Sequence, residues 1–470
     1  MKYNEEFRPL LHITPRAGFL NDPNGLFFDE ETHTYHVCFQ YQKDVHGDSR
    51  IGWRHTSGKG LYDLKELDTI ICPNDYGVIF SGCSVRGTFA KIMSFYTVHN
   101  LNTKHEYQAM SFSHDGIKWI PYREGAPLID NEGDRYGINA FRDPKVVRLT
   151  DGQWLMIVGG GVLRLFASQN LLDWEYQSSV KNVPAEDGCI ERDMLVLQKY
   201  LPLNDPHDAM MISECPDLFS MKDETGTEKW VLSGGGMFYV IGKLVKEREK
   251  YRFIPESKKR KFVWSSDFFA HRGEPYAMQT FSDGRRIAFF WHMDTSAEVL
   301  SGKPWNGALS LPLELTLRGG RLYAYPVDET EQCFTHTVFS ADTLNDDCVL
   351  EESLLRCFML QVSMKGTADI LLKNDSSVIR LRYCEAEGIF YVDRTRADMF
   401  SANSVEEIPC ESGQICLIKD GCILDIFTDC GRCWYSTFII SENTNYTIEV
   451  KKCGNMFLKD IRLRSRVPRE

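Results

Sequence analysis

The chain has 470 residues, of which 43% are hydrophobic and 12% aromatic, enough for two sizeable cores and too apolar for a disordered polypeptide. Acidic residues outnumber Lys and Arg by 66 to 54, giving a formal net charge of -12, which sets aside nucleic acid and anionic membrane as principal partners. Fifteen cysteines at irregular spacing read as small buried hydrophobes, not as a disulfide framework.

The first stretch, MKYNEEFRPLLHITPRAGF, carries charges and prolines where a secretory signal needs an apolar run, and the expected location is cytoplasmic. GFLNDPNGLFF (18–28) follows, and its Asn-Asp-Pro-Asn-Gly is turn chemistry: Pro23 fixes φ, Gly25 tolerates φ > 0, and Asn and Asp bond local backbone. By that reading a tight turn carries Asp22 at the start of a strand.

Short strand-like runs come next, TYHVCFQY (34–41), IMSFYTV (92–98), WLMIVGGG (154–161), KWVLSGG (229–235) and RIAFFWHM (286–293), punctuated by Gly, Asp, Asn and Pro. The pattern predicts an all-β chain. The charged segment from Lys246 to Arg260 reads as a short helix or an exposed hairpin. A degenerate repeat underlies the runs: Ser57, Ser113 and Ser168 recur in HTSGKGLYDL, SFSHDGIKW and LFASQNLLDW, and in the last two copies a Trp follows six residues later. A unit of three or four strands at that period predicts a β-propeller, whose blades bury their faces only by stacking.

After PLELTLRGGRLYAYPVDE (312–329) the character changes, and from Glu351 onward longer alternating strands suit a β-sandwich. The expected division is a propeller over 1–327, a linker over 328–345 and a sandwich over 346–470. Cys430 and Cys433 form a C-x-x-C inside FTDCGRCWYSTF, which reads as a hairpin turn and not as the strand-to-helix junction of a redox motif. GGG at 159 and 234 lacks the Lys-Ser/Thr of a phosphate loop. The twelve histidines have no metal-ligand spacing, so neither metal nor cofactor is expected.

Three acids stand beside prolines in otherwise buried-looking β sequence: Asp22 in LNDPNG, Asp143 in FRDPKV and Glu214 in ISECPDLF. In a propeller, acids distant in sequence can meet near the axis. Two carboxylates about 5–5.5 Å apart would serve retaining glycoside hydrolysis; structural turns are the competing reading.

The ordered motifs NDPNG (21), YHVCFQYQ (35), WRHTS (53), FSGCSV (80), FRDPKV (141), ECPDLF (214), YAMQTF (276) and WNGALSLPLELTL (305) resemble glycoside hydrolase family 32, the β-fructofuranosidases. YVDRTR (391) and LDIFTDCGR (424) are similar to that family's late signatures. The resemblance implies a five-bladed propeller followed by a β-sandwich, with Asp22 as nucleophile, Glu214 as general acid/base and Asp143 as transition-state stabiliser. It implies fructosyl contacts from Asn21, Gln40, Ser81 and Arg142, with Phe80, Tyr276 and Trp291 as aromatic neighbours. Cys215 falls within the same pattern.

The implied activity is hydrolysis of the terminal β-fructosyl bond of sucrose or short fructo-oligosaccharides by a monomer or homodimer whose partner is a small-molecule substrate. Sucrose-6-phosphate hydrolase and exo-acting fructanase are the enzymatic alternatives, and a non-catalytic sugar-binding propeller is the rival of another class. Phe19 stands where the family usually has Trp, Cys83 where it has Ser, and Glu274-Pro275 or the earlier SDFFA (266–270) where it has Asp-Phe. The His-Gly of KDVHGDSRIGWRH (43–55) is similar to the sucrose-6-phosphate hydrolase branch, which makes Lys43, His46, Arg50 and Lys104 candidate phosphate contacts.

Overall fold

The strand-and-turn punctuation becomes, among the described residues, seven antiparallel-rich sheets in the computed structural model. It describes residues 7–47, 49–132, 140–180, 183, 214–236, 238–261, 263, 272–282, 284–294, 304–397, 404–439 and 443–466. Five sheets are propeller blades and two six-stranded sheets form the sandwich. The innermost strands of blades I to V are Gly18–Asp29, Val78–Arg86, Arg142–Arg148, Asp217–Lys222 and Arg272–Thr280, and each adjoins the next around a ring.

The propeller has no single core. Apolar side chains fill the seams between successive blades: Trp53 with Tyr96 between I and II, Phe95 with Phe166 between II and III, Leu155 with Leu218 between III and IV, and Phe39 with Phe289 between V and I. A blade can hide its two faces only against its neighbours, so the repeat and the fold have one physical cause. Ser113 and Ser168 close the third strands of blades II and III. Their hydroxyls accept the backbone N–H of Gly116 and of Leu171, each at 2.9 Å, and so turn the chain toward the outermost strand.

Ring closure is provided by the end of the propeller sequence. Trp305–Asn306 pairs in parallel with Gly18–Phe19 of blade I, while Ala308–Leu309 pairs with blade V. The buried Lys145 of blade III donates to Asp217 of blade IV at 3.2 Å and to the Thr280 carbonyl of blade V at 2.6 Å. One ammonium thereby fixes three blades.

The segment from Lys246 resolves as a hairpin, with strands Phe238–Glu247 and Lys250–Pro255 joined through Arg248 and Glu249 at φ 49° and 66°. A two-residue turn with positive φ at both positions matches the twist of the flanking strands. Cys430 is exposed in its turn while Cys433 is buried in the strand that follows. The last propeller strand ends at Pro326 and the first sandwich strand begins at His336.

Cys357, Met359, Cys416, Ile418, Phe427 and Trp434 of the sandwich share one apolar cluster with blades IV and V. At its edge, Asp420 accepts the N–H groups of Leu10 and Leu11, both at 2.7 Å, and His12 Nδ1 at 2.9 Å. His12 Nε2 lies 3.1 Å from Asp425, and all three side chains are fully buried. Burial alone would strip the imidazole of its proton, but the two aspartates outweigh it and raise His12 to about 9. Ligating atoms of His12, His292 and Asp425 lie within 4.8 Å of one another, and both ring nitrogens of His12 face aspartate oxygens. The cluster is an ionic latch between the N-terminal segment and the sandwich.

Because this histidine binds its proton more tightly folded than unfolded, the latch is at full strength below pH 6.5 and is lost as pH rises through about 9. His12→Gln is expected to cost about 3 kcal/mol at pH 6, with the gap to wild type shrinking toward pH 10. Paired thermal melts across that range decide it; a gap that does not depend on pH would contradict a charged His12.

Candidate active site

NDPNG is not a turn. Gly18–Asp29 is one continuous strand whose pairing slips twice, between Leu20 and Pro23 and between Asn24 and Phe27. The expected turn is therefore corrected to a doubly bulged strand, with Gly25 at φ 55°. Bulges recur on the other inner strands, between Ile79 and Gly82, between Arg142 and Lys145 and between Tyr276 and Gln279. Asp143 adopts φ 62° and Ala277 φ 54°; blade IV has no such slip, but Cys215, just before it, sits at φ 44°. A bulge rotates one side chain out of the alternating pattern, and here it does so at Asp22, Ser81 and Asp143, while Tyr276 is the last paired residue before the slip at Ala277 and Met278.

These side chains meet. Ser81 donates to Asp22 Oδ2 at 2.6 Å and itself accepts from Gln40 at 2.9 Å. The Cys215 thiol reaches the same Asp22 oxygen at 3.3 Å, and the Cys215 backbone N–H donates to Asp143 Oδ2 at 2.9 Å. Glu214 precedes it in the chain. Arg142 Nη2 donates to Glu214 Oε1 and the Tyr276 hydroxyl to Glu214 Oε2, both at 2.8 Å. The three sequence-predicted acids thus converge on one residue, Cys215, with blades I, II, III and V all contributing a polar neighbour.

The electrostatics differ from acid to acid. Burial raises Asp22 to about 6, with the nearby Glu214 adding to it, against hydrogen bonds from Ser81 and Cys215. Burial likewise raises Asp143 to about 7, opposed by Arg142 and the Cys215 N–H and reinforced by Asp22 and Glu214. The Cys215 thiol and the Tyr276 phenol are pushed well above their usual ranges by burial and by the acids around them. Both are therefore hydrogen-bond donors at neutral pH. Glu214 is the open member of the group, its side chain 46% exposed against 6% for Asp143.

The remaining predicted residues divide. Asn21 turns its Oδ1 to the backbone N–H of Asp22, a local brace. Phe80 stacks on His99 at 4.6 Å. Trp291 lies opposite Tyr276 in register, edge-on to Phe19 at 5.9 Å and largely buried. Lys43, His46 and Lys104 are exposed, and Arg50 donates to the carbonyls of Asn74 and Gly77. SDFFA lies outside the described residues.

Several supporting residues escaped the sequence reading. Asn24 is fully buried, donates to the Asp22 carbonyl at 2.9 Å and accepts the Gly82 N–H at 2.8 Å, tying blade I to blade II. Thr97 accepts the Asp143 N–H at 2.9 Å and donates to Gln108, which in turn holds the Phe141 carbonyl at 2.7 Å. Glu106 accepts the Phe141 N–H at 2.6 Å. The one available signal was polar side chains inside runs that otherwise read as buried strand.

Residues 12–326 match the description "Glycosyl hydrolases family 32 N-terminal domain". The chain belongs to glycoside hydrolase family 32. Among relatives of this family, a levanase of Bacillus subtilis (strain 168) is 28% identical over 70% of this chain and 48% of its own length. A sucrose-6-phosphate hydrolase of Zymomonas mobilis is 27% identical over 84% of this chain and 76% of its own. The chain thus spans about half, or less, of the levanases it matches. Solved family 32 folds superpose over nearly the full chain. An exo-inulinase from Aspergillus awamori gives a TM-score of 0.77 at 19% identity, covering 99% of this chain and 98% of its own. A sucrose-6-phosphate hydrolase from Lactobacillus gasseri gives 0.78 at 19%, covering 99% and 94%. The all-β architecture of propeller and sandwich is the fold expected from the family 32 motifs.

Proposed function

We propose that the protein is a retaining β-fructofuranosidase acting on the terminal β-D-fructofuranosyl bond of sucrose or a short fructo-oligosaccharide. The observation that carries this reading is the junction of Asp22, Asp143 and Glu214 at Cys215. Sugar binding alone calls for no such arrangement, whereas double displacement calls for two carboxylates at one bond, one to attack and one to give and take a proton.

In the first step the Asp22 carboxylate attacks the anomeric carbon of the fructosyl unit. The bond from that carbon to the leaving oxygen breaks, and the Glu214 proton passes to that oxygen. In the second step Glu214, now a carboxylate, takes a proton from water as the water attacks the anomeric carbon, and the ester bond to Asp22 breaks. Asp143 accepts hydrogen bonds from fructose hydroxyls and stabilises the positive charge that develops on the fructosyl ring in the transition state of each step. Rigid placement of Asp22 by the bulge, Ser81 and Cys215 matters because displacement by ~1 Å can cost about a hundredfold in rate.

Sucrose-6-phosphate is the second reading. The relatives of comparable length that favour it are sucrose-6-phosphate hydrolases, and Lys43, His46 and Lys104 are exposed side chains with N–H donors available to a phosphate. Release of fructose from sucrose, sucrose-6-phosphate, 1-kestose and inulin, compared as kcat/KM, separates the two. Sucrose or 1-kestose is expected to lead. A preference of about tenfold or more for sucrose-6-phosphate, about 1.4 kcal/mol of transition-state discrimination, would replace the first reading with the second. Fructose release from none of the four would reject both.

A further inference from the structure

Glu106 is a buried carboxylate outside the three acids. Its Oε2 accepts the Phe141 N–H at 2.6 Å, its Oε1 pairs with His99 Nδ1 at 3.0 Å, and Arg142 Nη1 approaches both oxygens at 3.3 and 3.4 Å. Burial alone would raise it, but His99, Arg142 and the Phe141 N–H outweigh burial and hold it below the usual carboxylate range. It is a carboxylate that can only accept, so His99 Nδ1 carries the hydrogen.

Arg142 therefore stands among three carboxylates, with Nη1 on Glu106, Nη2 on Glu214 at 2.8 Å and Nε 4.0 Å from Asp143. A guanidinium facing a general acid alone would favour the ionised form of that acid and hinder proton donation. Glu106 and Asp143 together offset part of that charge, and Glu106, by holding Nη1 from both of its oxygens, fixes the planar fork that aims Nη2. His99 closes the arrangement from the other side, since its ring stacks on Phe80 with planes 16° apart.

We propose that Glu106, braced by His99, is a positioning residue for the acid/base: through Arg142 it orients Glu214 and limits the charge that Glu214 feels. It does not touch the reacting atoms. The inference rests on the reading of Glu214 as general acid, and it assigns Arg142 a role toward the acid in addition to any toward the sugar.

The test compares two leaving groups. Sucrose needs a proton on its departing oxygen, whereas an aryl β-D-fructofuranoside with an acidic phenol does not. In the 470-residue chain, Glu106→Gln is expected to lower kcat/KM on sucrose at least tenfold and on the aryl fructoside less than threefold. His99→Phe keeps the ring against Phe80 and removes only the N–H to Glu106, so it decides the matter if Glu106→Gln does not fold. It should show the same selectivity with a smaller loss. Equal losses on both substrates, as general disruption of the site would give, or no loss on either would overturn the proposal. A wild-type protein that cleaves neither substrate would instead reject the fructosidase reading itself.

Discussion

Asp22→Asn is expected to lower fructose release by about 10^4-fold or more, because the amide cannot form the fructosyl ester on which both steps depend. Binding should survive, since Ser81 can still donate to the amide oxygen and the bulged backbone is unchanged. The same substitution is expected to stabilise the fold. The Asp22 carboxyl, ordinarily near 3.8, keeps its proton up to about 6 in the folded chain. The folded state thus disfavours the carboxylate, and stability falls as pH rises from about 3.8 to 6, with the whole penalty present above 6. Asparagine removes a penalty of about 2–3 kcal/mol at pH 7 and nothing at pH 3. Calorimetry at the two pH values, alongside the activity assay, tests both halves. An inactive variant no more stable than wild type at pH 7 would contradict a buried, strained charge, and a variant with more than about 1% of wild-type turnover would contradict the nucleophile.

Glu214→Ala carries the second large effect. Loss of a general acid costs about 10^2–10^4-fold, and kcat/KM on sucrose should fall by about 10^3-fold. An aryl fructoside whose phenolate departs unaided should retain most of its kcat/KM. Its steady-state turnover should still collapse, because the general base for the second step is gone too. A burst of phenol equal to the enzyme concentration should then appear, and azide, which attacks without giving up a proton, should restore turnover and yield a fructosyl azide. Absence of both burst and rescue, with sucrose turnover intact, would remove Glu214 from the acid/base role. Its exposure relative to Asp143 fits a group that must meet both a leaving group and a water.

These two effects depend on a site assembled from residues that are far apart in the chain. Asp22, Ser81, Asp143, Cys215 and Tyr276 come from blades I, II, III, the entry to IV, and V. The acids were visible in the sequence because each sits one or two residues before a proline in a run that otherwise reads as buried strand, where an unpaired carboxylate would be costly. The resemblance to family 32 motifs then implied a role for each. Glu106, Thr97 and Gln108 carried no comparable mark. Their polar groups are satisfied by main-chain atoms of another blade, and nothing local records such a partner.

The strands, their spacing and the three acids were legible because they are local: alternation, turn residues and the serines that bond three residues onward act within one blade. NDPNG shows where local chemistry stops. Asn, Asp, Pro and Gly serve a hairpin turn and a β-bulge equally well, and only the pairing of Gly18–Asp29 with Thr34–Gln42 decided for the bulge. The latch of His12 with Asp420 and Asp425 joins residues more than four hundred positions apart, and the Glu106–Arg142–Glu214 relay crosses blades. Local periodicity determined which residues form strands; desolvation of charged groups on assembly, which exists only once the blades and the sandwich have packed, decided which of those residues act together.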